Sequence, residues 1–70
     1  MSDLWIKKKE CHNWFDKLWK NHKERDEYYI RLAEEMGIPY EECHFSQMSS
    51  LQLDQALEII KRMWWEKFDD

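Results

Sequence analysis

The reactive side chains fall into a few groupings. His12 and Asp16 lie four residues apart, so on a helix both belong to one face. A carboxylate so placed can orient an imidazole for proton transfer, or the pair can tie its helix to a neighbouring segment. Cys11-His12 and Cys43-His44 together supply two thiols and two imidazoles, the donor types of structural zinc sites. Their spacing opposes that use. Zinc ligands come in pairs separated by about two to five residues, whereas neighbours on a helix diverge by about 100°. One donor from each pair would leave an incomplete shell, so no metal is expected and the cysteines are read as small core hydrophobes. Cys43 beside His44 has the residue types of a nucleophilic dyad, yet sequence neighbours lack the mutual geometry for attack. No nucleophile elbow or phosphate loop is present. The expectation is a protein that is not an enzyme and carries no cofactor.

The indoles are a second kind of clue. The 70 residues include five Trp, three Tyr and three Phe. Leu, Ile, Met, Phe, Trp and Tyr total 26, against the ~12–15 large side chains that a core of this size holds. The surplus must lie on the surface or against another chain. Trp64 and Trp65 are adjacent and cannot both enter one small core; Trp14 diverges from the stripe of Phe15 and Leu18. Exposed aromatic patches mark interaction surfaces, where Trp, Tyr and Arg dominate the energetics. Trp5, Lys8, Trp14, Arg62, Trp64 and Trp65 are therefore the expected partner contacts. Lys7, Lys8, Lys9, Lys17, Lys20, Lys23 and Arg25 interleave with Trp5, Trp14 and Trp19, a mixture that can also hold phosphates and stack bases. The acidic pI of 5.3 opposes bulk nucleic-acid affinity but leaves a small nucleotide between subunits open.

Local patterning indicates how these residues are positioned. Val and Thr are absent, and Gly and Pro occur once each, so the sequence favours helix. A first helix is predicted from Ser2 to about His22, with Ser2 or Asp3 as cap and Leu4, Cys11, Phe15, Leu18 and His22 as its stripe. The polar run between Lys20 and Asp26 reads as a connection. A second helix from about Glu24 to Met36 buries Tyr29, Leu32, Ala33 and Met36. It ends at Gly37, with Ile38 as the apolar contact of a Schellman motif and Pro39 barring continuation. A short helical turn follows from Pro39. Ser49 or Ser50 is expected to cap a third helix reaching about Lys67, Ser49 and Gln52 having capping-box spacing, with Leu53, Ala56, Leu57, Ile60, Met63 and Trp64 inward. The fold class is all-α: one helical domain over residues 1–70, a three-helix bundle with a short helical turn between the second and third helices. No apolar run approaches the roughly 18 residues that cross a bilayer, and no export signal opens the chain, so free thiols in a reducing compartment are expected.

Several short motifs recur in a familiar order: Cys11-His12-x-x-Phe15-Asp16-x-Leu18-Trp19, Arg25-x-x-x-Tyr29-x-x-Leu32-Ala33-Glu34, Gly37-Ile38-Pro39 and Glu42-Cys43-His44-Phe45. Over about residues 11–60 this resembles the C-terminal helical half of the phage and prophage zinc-finger-containing proteins, a family of unknown function. The zinc ribbon that precedes this half in the family is missing, Cys11 replaces an Ala, and Glu24 stands where a Ser cap is expected. Leu4–Lys9 and Trp64–Phe68 look private to this chain. The resemblance implies a phage origin and a helical fold, and no activity.

The functional expectation is a small phage protein that binds and inhibits or sequesters a host factor in the host cytoplasm, a defence system being one candidate. An oligomeric nucleotide-binding protein and a nucleic-acid accessory protein are the alternatives. A host protein and further copies of the chain are the expected partners, with no membrane. His12, Asp16, Tyr29, Cys43 and His44 are expected to form a structural polar cluster. Charge is uneven, net +3 over residues 1–25, −7 over 26–58 and zero over 59–70, which suits a partner with a complementary patch.

Overall fold

The computed structural model describes residues 3–68, so Ser2, one of the two expected first caps, lies outside the described residues. Three helices form: α1 (Asp3–Asp16), α2 (His22–Met36) and α3 (Ser50–Phe68). The crossover between α2 and α3 carries two single 3₁₀ turns, Tyr40–Glu42 and Phe45–Gln47, where one helical turn was expected. The all-α three-helix arrangement is as the sequence predicts.

The first helix is shorter than its pattern suggests. It stops at Asp16, not about His22. Lys17 and Leu18 tighten into i→i−3 hydrogen bonds to Trp14 and Phe15. Leu18 is still fully buried, but from a turn, so the apolar stripe outlasts the helix. His22, expected in that stripe, is exposed and opens α2 instead, its ring stacked 6.4 Å from Trp19. The restart is dictated by Asn21, whose side-chain oxygen accepts the Glu24 N–H at 2.9 Å, while the Glu24 carboxylate accepts the Lys20 N–H at 3.0 Å. This Asn-x-x-Glu cap is the signal that the helical period concealed.

The other two predicted ends are present. Gly37 has φ 73°, and the Gly37 and Ile38 N–H groups donate to Glu34 O and Ala33 O, the Schellman pattern. Ser49 and Gln52 exchange both capping-box hydrogen bonds, at 3.0 and 3.2 Å.

Contacts fix the topology. Lys7 donates to Ser50 Oγ at 2.7 Å and pairs with Asp54 at 3.1 Å, Cys11 meets Leu53, and Trp14 meets Trp64. The helices α1 and α3 are therefore parallel. Arg62 pairs with Glu35 and Arg31 with Glu66, so α2 runs antiparallel to α3. These exposed ion pairs set register more than stability. With Glu35 level with Arg62, α3 extends some 12 residues below α2, about 18 Å. The crossover covers that stretch, burying Cys43, Phe45 and Met48 in the same core as Phe15, Leu18, Leu32, Leu53, Ile60 and Met63. Ile59 is buried too, while Leu57, Trp64, Tyr29 and Met36 of the predicted stripes are half-buried.

Both end signals can be tested by urea unfolding. Gly37→Ala meets no steric obstacle, since nothing lies within 4 Å of the added carbon, so its cost comes from the left-handed backbone alone. A loss of about 1 kcal/mol is expected, less for Gly37→Asn, and about 1 kcal/mol for Ser49→Ala. Unchanged midpoints would contradict both assignments.

Candidate functional site

The parallel pairing of α1 and α3 brings their aromatic residues together at one end of the bundle. Trp14 meets Trp64 edge to face, ring centres 5.7 Å apart at 90°. Trp64 in turn meets Trp65 at 5.4 Å and 87°, and Phe68 at 5.1 Å and 47°. The last contact is the i,i+4 neighbour pair of a helix. Trp14 and Trp64 are half-buried against the core. Trp65 and Phe68 remain 60% and 51% exposed. The result is a continuous set of rings, rooted in the core at one edge and open to water at the other. Lys17 and Lys61 both lie over Trp14, their ammonium groups 5.2 and 5.4 Å from the ring centre, within cation–π range. Among the described residues neither has a carboxylate within ion-pair distance.

The six expected contacts do not share one surface. Trp14, Trp64 and Trp65 belong to the cluster. Arg62 is held by Glu35, and Lys8 donates to Ser46 O at 3.1 Å, tying α1 to the crossover. Trp5 is 50% exposed beneath the Lys9 ammonium. It precedes Trp14 by nine residues, about 13 Å along the helix and on roughly the opposite side. The cations that do accompany the rings, Lys17 and Lys61, and the ring of Phe68 were not singled out from sequence. Their three- and four-residue offsets from Trp14 and Trp64 are the signal that could have found them. Other exposed apolar residues, including Leu51 and Ile30, occur elsewhere on the surface.

The five residues of the expected polar cluster are divided between inside and outside. Cys43 is buried and Tyr29 half-buried, whereas His12, Asp16 and His44 are exposed. Among the described residues no side-chain hydrogen bond or ion pair joins any two of them. Two of the five, His12 and Tyr29, meet Phe45, ring centres 4.9 and 6.0 Å apart, and Phe45 also meets Phe15 at 5.7 Å. Cys11 donates to Leu53 O at 3.5 Å, and burial, with Glu10 and Asp54 adding to it, pushes its thiol up to about 11. Burial also pushes up the Cys43 thiol. Tyr29 is raised, chiefly by burial and against the opposing pull of Arg25. A protonated thiol is a poor nucleophile and a poor metal ligand, and among the described residues no three His, Cys, Asp or Glu side chains are grouped to hold a metal ion.

The model of the DUF3268 family, described as a zinc-finger-containing domain, matches residues 1–63. The chain belongs to this family. Searches of curated proteins and of solved structures found no match. The family match takes in Leu4–Lys9 and ends before Trp64. The zinc that the family's description names does not fit the residues present, because both thiols are inside the hydrophobic core.

The raised thiols give the protein an alkaline weakness. A group whose folded pKa lies above its unfolded one contributes stability that is complete below the unfolded value and lost as pH rises through the folded one. For Cys11 that window runs from 9.0 to about 11, each tenfold difference in proton affinity being worth about 1.4 kcal/mol. Melting temperature should fall between pH 9 and 11, and Cys11→Val should flatten the fall. A wild-type curve level across that range would contradict the burial of the thiol.

Proposed function

We propose that this is a non-enzymatic binding protein whose working surface is the aromatic end face of α1 and α3. The observation that carries the reading is the exposure of Trp65 and Phe68 in register with the half-buried Trp64 and Trp14. A ring cluster already fixed by packing loses little freedom when a partner covers it, and large aromatic anchors with a cationic neighbour are the usual hot-spot chemistry. Lys17 and Lys61 add two cations that have no carboxylate within ion-pair distance among the described residues. They favour a protein partner that offers acidic side chains beside an apolar anchor. In its finer form the proposal is a phage protein that inhibits or sequesters a host factor in the host cytoplasm, with a component of a defence system as the first candidate. That step rests on the resemblance of the Cys11–Phe45 motifs.

A second reading has its own support. Two ammonium groups over one indole also suit a nucleotide, with phosphate on the lysines and base on a ring.

The test compares the wild type with Trp65→Ala, Phe68→Ala. Both side chains are mostly exposed, so helical circular dichroism and melting temperature should barely change. Affinity for a protein recovered from host lysate should fall about tenfold or more, and Lys17→Glu, Lys61→Glu should weaken it further at low salt than at high. Retention of affinity by the ring variant would refute the face. Stabilisation by AMP or ATP instead would favour the nucleotide, and a native mass above one chain that the ring variant abolishes would mark the face as the contact between copies.

A further inference from the structure

We propose that the helical unit folds without a structural metal ion, its two cysteines serving as core hydrophobes in a family whose description names a zinc finger. The argument rests on where each donor sits. Cys11 is 0% exposed and faces α3, with its sulfur 3.5 Å from Leu53 O. A thiol donates to a carbonyl; a thiolate in the same place would set negative charge against it. Cys43 is 1% exposed and enters the same core from the crossover. The His12 imidazole stands edge-on to Phe45, ring centres 4.9 Å apart, with no cysteine beside it in that contact. His12 and His44 are both exposed although each follows a buried cysteine. Each Cys-His pair thus divides its donors between interior and solvent, and no single ion can take a thiol and an imidazole from the same pair.

A tetrahedral zinc site needs four donors converging within about 2.0–2.3 Å of the ion. Assembling one here would require withdrawing Cys11 from between α1 and α3 and Cys43 from beneath the crossover, which would empty the core that those segments share. The polar shell that orients metal-bound imidazoles is also missing, since among the described residues neither His12 nor His44 makes a side-chain hydrogen bond. The fold has instead spent its cysteines on packing, where a buried thiol is a small apolar group. This inference is independent of the docking face.

The experiment unfolds the full chain in guanidinium with excess EDTA and refolds it with EDTA still present. It then measures circular dichroism, melting temperature and native mass before and after adding zinc in excess of the chelator. The expected result is full helicity in EDTA, a melting temperature that zinc moves by no more than ~1 °C, and a mass with no bound zinc. Thiol labelling of the wild type should be slow in the folded state with or without zinc, and fast in denaturant. Cys11→Val, Cys43→Ala should stay helical, because small apolar side chains replace two buried thiols, whereas a metal-dependent fold would lose two ligands. Failure of that variant to fold would leave the wild-type chelation result to decide. Loss of helicity in EDTA, or one zinc per chain or per pair of chains that raises the melting temperature, would overturn the inference, because a true structural site makes folding depend on the metal.

Discussion

The bundle depends on how Phe45 is buried. Its ring comes from neither a helix nor a predicted stripe but from a single 3₁₀ turn in the crossover, and it packs on Phe15 of α1 and Tyr29 of α2 at once. The antiparallel register leaves the lower part of α3 without α2 beside it, so something else must close the core there. Cys43, Phe45 and Met48 do so, spaced so that the irregular segment directs three side chains inward. Most of the other fold features serve this closure. Gly37 turns the chain sharply out of α2, Pro39 keeps it extended, and the Ser49–Gln52 cap restarts the helix on time. Lys8 holds the Ser46 carbonyl from the opposite side.

The same constraint explains where the surplus rings go. A connection that returns the chain to the foot of the bundle makes α1 and α3 parallel, and parallel neighbours align their C-terminal ends. Trp14 and Trp64 therefore arrive at one level; Trp65, the next residue, points about 100° away, and Phe68, one turn further along α3, lies beyond the end of α1 at Asp16. The early stop of α1 is thus tied to the exposure of Phe68. Beyond Asp16 the chain turns inward at Leu18, whose carbonyl receives the Lys67 ammonium, closing the top of the core just beneath the rings.

Much of this was legible in the residues. Periodicity identified the three helices, and the Gly37-Ile38-Pro39 and Ser49–Gln52 signals located two of their ends. The end of α1 was not legible, because Leu18 keeps the helical spacing while sitting in a turn; only the Asn21–Glu24 cap betrays the break. The candidate site was half legible. Ring excess implied an outward face, and three of the six expected contacts lie on it. Trp5, Lys8 and Arg62 could not be sorted by spacing along one helix, since what separates them is the relative direction of α1 and α3 and the partners Ser46 and Glu35, which are distant in sequence. The polar cluster failed to assemble for a related reason. Adjacent Cys and His residues read as one chemical unit in sequence, but a backbone that buries one of two neighbours turns the other outward.

Trp64 is where the core and the exposed rings meet. Its indole touches Trp14, Trp65 and Phe68 while its other side rests against the core. The exposed rings are consequently not loose side chains on a helix end: Trp65 and Phe68 both contact a residue whose own position is set by α1. Each edge-to-face contact of this kind contributes about 0.5–1.5 kcal/mol beyond the area it buries, enough to bias rotamers without removing the rings from water. A surface so arranged has its ordering cost met during folding, not during association. The small size of the protein works in the same direction, because a chain that cannot hide all its aromatic residues can still use the partly hidden ones to hold the others in place.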